Sequence, residues 1–195
     1  SADMYYKACT IDPNNINLPL VATDSVLFFT NGNEQKVMLV AWGQDAYFYN
    51  NNIVPFNYTM ANDKPHVIYN LLLVDSGATL KIDPGVTVYL HKNATLIVLK
   101  DGTLKINGTQ SEPVTFRGDR LESFYKDVSG QWNRIWLSAG SKDNEINYAI
   151  IKNGMVGIQV DTLGNSSNPT LKISNTIIRS MTGAGIFAQG STIQS

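Results

Sequence analysis

The sequence predicts an all-β protein: a parallel β-helix of about four coils over residues 63–195, preceded by a β-hairpin region over residues 1–62. Three observations predict this fold. The tetrapeptide T-L-K-I recurs at a similar interval, short segments alternate apolar and polar residues, and no window of a dozen residues has the period of an amphipathic helix. Alternation with period two is typical of half-buried strands, and a repeat of roughly 20–50 residues is typical of a solenoid.

The composition excludes several classes of protein. Charged residues make up 16% of the 195 residues and the formal net charge is −1, so we expect neither a nucleic-acid-binding surface nor a disordered acidic chain. The longest uninterrupted apolar run, Val37 to Trp42, is far too short to span a bilayer, so we expect no transmembrane segment. What remains is a soluble, ordered protein in which Asn and Gly take the place of charge.

The N-terminal region contains a predicted hairpin. Strand-like segments at 25–30 and 36–42 flank Asn31-Gly32, and Asn-Gly is a strong signal for a hairpin turn. The aromatic, Asn-rich stretch 45–58 follows, and we predict a connection there rather than a core element. Because residues 1–62 do not carry the T-L-K-I repeat, the β-helix is expected to begin after them.

The repeat itself defines the coils. T-L-K-I begins at residues 79, 103 and 170, and a degenerate copy at 143–146 keeps only the final Ile, so that the intervals are 24, 40 and 27 residues. The longest interval has a surplus of about 15 residues, which falls on Gly118 to Gln131, a segment without a strand pattern. We therefore predict an inserted loop at 118–131.

A second alignment supports the same period. The sequence I-I-K-N at 150–153 matches I-I-R-S at 177–180, and Gly157-Ile158 matches Gly185-Ile186. In a β-helix these aliphatic residues would stack inward on their equivalents one coil away, at a strand spacing of ~4.8 Å. A β-sandwich would also give short strands, but it would not repeat T-L-K-I at the length of a coil.

Two longer runs resemble a known family. Residues 80–116 and 131–160 combine a Pro-Gly turn, G-T-L-K, P-V-T-F, R-I-W-L and I-I-K-N, and they resemble the right-handed parallel β-helix, pectin-lyase-like proteins that Bacteroidetes bacteria secrete or carry on the cell surface as lipoproteins. Residues 30–49 resemble the closing strands of the immunoglobulin-like domain that often precedes such a β-helix. The resemblance implies a right-handed helix, a sandwich remnant at the N-terminus, and a secreted or cell-surface location. It also implies a piece of a longer protein with further coils after it. The C-terminal residues 183–195 themselves stop in mid-pattern, so we expect that missing coils or a partner chain, such as a second copy, cover this end.

The inserted loop and its base supply the candidate binding residues, because loops on a rigid scaffold often carry function. Aromatic faces and Arg side chains there suit contact with a glycan. These glycan-contact candidates are Arg120, Phe124, Tyr125, Trp132, Arg134 and Trp136. Two alternatives stay open: the loop packs Leu121 and its aromatic rings against the coils, or it takes part in catalysis. Other exposed aromatic residues, among them Tyr49 and Tyr58, suit either sugar stacking or cover for neighbouring strands.

Metal and acid–base chemistry have weaker candidates. The lyases that the fold resemblance suggests use Ca²⁺, and Asp119, Glu122 and Asp127 are weak candidate ligands because Ca²⁺ needs several converging oxygens. No Asp cluster recurs at one position in adjacent coils, no carboxyl pair suits glycoside hydrolysis, and His66 and His91 are isolated. We therefore assign no catalytic residue and expect no cofactor beyond that Ca²⁺.

The sequence favours a non-catalytic glycan-binding or structural module whose partner is a polysaccharide. The alternative is a polysaccharide lyase or glycoside hydrolase acting on an acidic polysaccharide. Self-association at the open C-terminal end is a further expected interaction.

Overall fold

The chain divides into two compact units, residues 1–45 and residues 46–195, which are described separately. The computed structural model describes residues 20–30, 32–43, 45–161, 169–189 and 193–194. The first boundary therefore lies at residue 45 rather than at the predicted residue 62, since the stretch that follows it belongs to the second unit. Within the described residues, no helix has the length and apolar character needed to cross a membrane.

The first unit contains the predicted hairpin. Strand β1 (Leu20–Thr30) pairs antiparallel with β2 (Asn33–Gly43), and Thr30 lies opposite Asn33. Only two residues join the strands, and Gly32 has a φ of +81°, the backbone region that a primed hairpin turn requires. The Asn-Gly signal thus predicts both the turn and the register.

The second unit contains sixteen described strands and one short 3₁₀ helix, η1 (Ser123–Asp127), between β10 and β11. In chain order the strands are β3 (Tyr47–Ile53), β4 (Tyr58–Met60), β5 (His66–Val74), β6 (Thr79–Ile82), β7 (Thr87–Leu90), β8 (Thr95–Val98), β9 (Thr103–Asn107), β10 (Val114–Gly118), β11 (Arg134–Leu137), β12 (Asn144–Asn147), β13 (Ala149–Lys152), β14 (Ile158–Val160), β15 (Leu171–Ser174), β16 (Ile177–Arg179), β17 (Ile186–Ala188) and β18 (Ile193–Gln194).

These strands form two parallel sheets that the chain visits in turn. One sheet has the order β18-β15-β12-β9-β6-β4, so that its neighbours are one repeat apart in sequence. The other has the order β16-β13-β10-β7-β5-β8-β11-β14-β17, with β3 also paired to β5. Strand β5 joins its two halves, because residues 66–68 pair with β7 and residues 71–74 pair with β8. The described chain is therefore all-β, and its second unit is built from parallel, curled sheets.

The registers confirm the alignment made from sequence. Thr79 lies opposite Thr103 and Ile82 lies opposite Ile106, so two T-L-K-I copies are paired residue by residue. The degenerate copy is paired as predicted, with Glu145 opposite Lys172. The second alignment holds as well, with Ile150 opposite Ile177 and Ile158 opposite Ile186.

The stretch 45–58 differs from its prediction as a connection. It contains β3 and the first residue of β4, which pair parallel with β5 and β6, and Met60 of β4 is fully buried in the core. Its asparagines fit this role because Asn tolerates left-handed backbone: Asn51 has a φ of 55° and Asn57 a φ of 56°. Asn51 lies at an irregularity of β3, where the register with β5 shifts between Asn50 and Asn52, and Asn57 lies in the turn just before β4.

The core consists of aliphatic rows that run across the strands. Leu80 and Leu104 form one row and Ile82, Ile106 and Ile146 another, all fully buried. Asn144 interrupts the leucine row at 1% exposure. Its Oδ1 accepts a hydrogen bond from the Leu104 backbone N–H at 2.9 Å, and its Nδ2 donates to the Thr170 carbonyl at 3.0 Å. One side chain thus links three successive strands of the six-stranded sheet.

Candidate functional site

The inserted loop is attached to the sheets through polar contacts. The Gln131 side-chain amide donates to the carbonyls of Tyr125 and Val128 at 2.7 and 2.8 Å. The Asn153 amide donates to the carbonyls of Lys126 and Val128 at 3.1 and 2.9 Å. Both amides lie at the base of the loop. The loop is therefore held there by hydrogen bonds that its own backbone carbonyls accept from these two side chains.

The loop's apolar side chains face solvent. Phe124 is 77% exposed, Leu121 is also exposed, and no residue of η1 is buried. Arg120 lies 4.1 Å from the centre of the Tyr125 ring and pairs with Glu122 at 2.8 Å. The alternative in which Leu121 and Phe124 pack against the coils is therefore wrong, because both side chains are exposed.

Trp132 does not belong with the surface candidates. Its side chain is 0% exposed, and its indole N–H donates to the Lys152 carbonyl at 2.8 Å. The ring lies against Gly154, where a Cβ would come within 3.0 Å of it. Trp132 is therefore a core residue, and its prediction as a glycan contact is corrected.

Arg134 and Trp136 lie together on an outward face. Both are half-buried on β11, where they alternate with the buried Ile135 and Leu137. Trp136 lies between Ile97 of β8 and Gln159 of β14 in the register. The structure thus separates the candidates into a loop group (Arg120, Phe124 and Tyr125), a sheet group (Arg134 and Trp136), and the buried Trp132.

A continuous hydrogen-bond network fixes the sheet group. The Trp136 indole N–H donates to Asp161 Oδ2 at 2.5 Å, and the Gln159 amide donates to the two Asp161 oxygens at 2.9 and 3.0 Å. Arg134 Nη1 donates to Gln159 Oε1, and its Nε donates to Asn133 Oδ1 at 2.9 Å. We call Arg134, Trp136, Gln159 and Asp161 the Trp136 face. It combines part of an indole ring with polar groups whose positions are already set.

The three calcium candidates are not brought together. Asp119 pairs with His91 at 2.6 Å, Glu122 with Arg120, and Asp127 with Arg179 at 2.6 Å. The hydrogen bond from Arg120 lowers the pKa of Glu122, and the hydrogen bond from Arg179 lowers the pKa of Asp127. Over the described part of the chain, no three His, Cys, Asp or Glu side chains are grouped so that they could hold a metal ion.

Sequence reasoning missed a cluster around His66. The buried His66 Nε2 lies 3.0 Å from the Ala61 carbonyl, to which it donates, and Nδ1 accepts from the Tyr49 hydroxyl at 2.8 Å. The Tyr58 hydroxyl lies 3.0 Å from that of Tyr49. Burial lowers the pKa of His66 and raises that of Tyr49. The cluster keeps a neutral imidazole fully hydrogen-bonded, which is a structural role; only the pairing of β3 with β5 could reveal it.

Comparison with known proteins gives no relative: no protein family matches this chain, and neither a curated protein nor a solved structure is significantly similar to it.

Proposed function

We propose that residues 46–195 form a right-handed parallel β-helix that acts as a non-catalytic glycan-binding module through the Trp136 face. The β-helix is supported by the parallel pairing of strands one repeat apart and by the row-wise stacking of their buried residues. A right-handed sense is supported because nearly all parallel crossover connections take that sense.

The Trp136 face is the observation that carries the binding proposal. A sugar ring presents an apolar face and a rim of hydroxyl groups. The half-exposed indole offers an apolar surface for the first, and the Arg134, Gln159 and Asp161 side chains offer donors and acceptors for the second. Because the network holds these groups in place before a ligand arrives, little conformational entropy is lost on binding.

In the part of the chain that the structure describes, carboxylates are not stacked on adjacent strands, and this supports a binding role rather than hydrolysis. Within the described residues, Asp161 is the one acidic side chain of the Trp136 face, and it is already bonded to Trp136 and Gln159. Retaining and inverting glycosidases use two carboxyl groups roughly 5–9 Å apart. The proposed location, secreted or at the bacterial cell surface, rests on the sequence resemblance, and protease treatment of intact producing cells would test it.

A glycan array followed by calorimetric titration tests the proposal. Trp136→Ala should weaken binding of the best glycan about tenfold or more, since loss of a central aromatic contact commonly costs more than 1 kcal/mol. Phe124→Ala, which removes an exposed aromatic ring from the loop, is the matched control and should leave affinity unchanged.

Three outcomes would contradict the proposal. Equal affinity of the Trp136→Ala variant and the unaltered protein would exclude the Trp136 face as the binding site. Loss of binding in Phe124→Ala alone would assign the binding site to the loop. Release of unsaturated product from acidic polysaccharides, detected by ultraviolet absorbance, would show that the protein is a lyase rather than a non-catalytic binding module.

A further inference from the structure

Three cationic side chains stand in a row on the outer face of the ten-stranded sheet. Lys152 of β13 lies opposite Arg179 of β16. Arg117 of β10 is adjacent to Lys152 on the other side, since the residues before them, Phe116 and Ile151, are paired. We call Arg117, Lys152 and Arg179 the cation row. Neighbouring strands are ~4.8 Å apart, so the three positive charges are held close together by the backbone.

The row has too few anions. Asp127 pairs with Arg179 at 2.6 Å, and neither Arg117 nor Lys152 forms an ion pair with a described residue. Lys152 is only 7% exposed, yet the one hydrogen bond that its ammonium group donates to a described residue, the Lys126 carbonyl, is 3.4 Å long. The Arg117 Nε atom is buried without a hydrogen-bond partner, and its guanidinium lies 5.8 Å from the centre of the Tyr89 ring.

This arrangement of positive charges is electrostatically unfavourable. A largely buried ammonium group loses hydration, and like charges one strand apart repel each other. Asp127, which is paired with Arg179, also attracts Lys152, but it offsets these two effects only in part. Both effects act here, because burial, followed by the charges of Arg117 and Arg179, lowers the pKa of Lys152. An anion placed beside the row would restore the missing hydrogen bonds and neutralise the repulsion.

We propose that the cation row, Arg117, Lys152 and Arg179 at the foot of the inserted loop, binds an anionic oxygen-bearing group, either sulfate, phosphate or carboxylate. Arginine presents a planar fork of donors that matches such groups in a bidentate way. Arg117 is half-buried and Arg179 is exposed, so that the group reaches the row from solvent along these two guanidiniums. The site lies on β10, β13 and β16 and does not depend on the Trp136 face, which lies on β11 and β14.

Two sources carry this chemistry, a free inorganic anion and an anionic group on a polysaccharide. In the first arm of the test, sulfate is titrated against chloride at constant ionic strength, and the thermal unfolding midpoint of the full chain is followed. In the second arm, a sulfated oligosaccharide of defined length and its desulfated counterpart are titrated calorimetrically. Sulfate also stabilises proteins non-specifically, but that effect does not saturate and is shared by all variants.

The variants are Arg117→Gln and Lys152→Met, and the matched control is Lys81→Gln, which removes one exposed positive charge from the six-stranded sheet. We expect saturable binding in at least one arm, an apparent affinity at least fivefold weaker in Arg117→Gln and Lys152→Met, and no change in Lys81→Gln. Arg117 donates no hydrogen bond to the described part of the loop, so Arg117→Gln should leave the loop folded. This variant therefore tests anion binding at the cation row even if Lys152→Met does not fold.

Saturation by sulfate itself assigns the site to a free anion, and saturation by the sulfated oligosaccharide alone assigns it to a polysaccharide. No saturable binding in either arm, or equal affinities of Arg117→Gln and Lys81→Gln, would overturn the proposal. Binding that is lost in Trp136→Ala but kept in Arg117→Gln would support the glycan-binding proposal and reject the cation row.

Discussion

Replacement of Asn144 by Ala tests how the irregular copy of the repeat is stabilised. The side chain accepts from the Leu104 N–H and donates to the Thr170 carbonyl and, at 3.2 Å, to Ser141 Oγ. Asn144→Ala removes all three bonds. The Leu104 N–H and the Thr170 carbonyl belong to buried residues, and both lose these partners while water remains excluded.

The expected loss follows from those two backbone groups. A buried donor or acceptor without a partner costs about 1–3 kcal/mol, so the free energy of unfolding should fall by about 2–6 kcal/mol. Urea titration followed by circular dichroism measures this loss as a shift of the midpoint at constant slope. Asn147→Ala is the matched control on the same strand. Among the described residues, the Asn147 side chain bonds only to the exposed Ser174 and Asn175 side chains, so its loss should cost less than about 1 kcal/mol.

A third variant separates this account from its rival. Asn144→Leu restores the leucine of T-L-K-I and completes the apolar row between Leu104 and Leu171. If packing alone mattered, Asn144→Leu would be more stable than the unaltered protein. We expect it to be destabilised about as strongly as Asn144→Ala, since leucine also leaves both backbone groups unpaired. A stabilised Asn144→Leu variant, or equal losses in Asn144→Ala and Asn147→Ala, would refute the hydrogen-bond argument.

Three further predictions follow from burial. Because burial lowers the pKa of His66, the unfolded chain binds a proton at this imidazole more readily than the folded chain does. The contribution of His66 to the free energy of unfolding is therefore fully present above the unfolded pKa of about 6.5 and falls as the pH is lowered through that value. In urea titrations between about pH 7.5 and 5.5, His66→Gln should make the free energy of unfolding less dependent on pH. In thermal unfolding, Gly157→Ala should cost about 1–3 kcal/mol or more because its Cβ would collide with the Gly185 carbonyl, whereas Gly185→Ala meets no atom closer than 3.5 Å and should cost less. Trp132→Ala should cost about 3–5 kcal/mol and Trp136→Ala much less, and equal losses in chemical denaturation would contradict their assignment to core and surface.

The repetitive part of the fold could be predicted because the same physical constraint acts in every repeat. Inward positions must be aliphatic wherever a strand stacks on its equivalent, so that T-L-K-I and I-I-K-N fixed the pairing of Ile82 with Ile106 and of Ile150 with Ile177 in advance. The Asn-rich stretch 45–58 escaped the prediction because its strands pair with β5 and β6 without carrying the repeat. Composition alone does not distinguish an asparagine at a corner from one in a loop.

The candidate site was predictable only where a side chain's direction follows from alternation. Trp136 alternates with buried residues in R-I-W-L, so its outward position was expected. Trp132 lies just before that strand, where alternation gives no direction, and its burial depends on Gly154 across the sheet. The loop could be located by its length, but its attachment to the sheet depends on Asn153, which becomes a neighbour of the loop carbonyls only in the folded chain.

The cation row illustrates how the proposed anion site arises without any local sequence motif. Arg117, Lys152 and Arg179 are separated by unequal stretches of sequence, because the inserted loop lengthens one repeat and not the other. The parallel registers nevertheless place the three on consecutive strands. Inward rows are constrained by packing and outward rows are not, so charges on an outward row can accumulate at a fixed spacing of ~4.8 Å without affecting the core. Binding sites in this architecture are therefore found by comparing outward residues across registers, and a row that leaves a buried cation unpaired is the first to test.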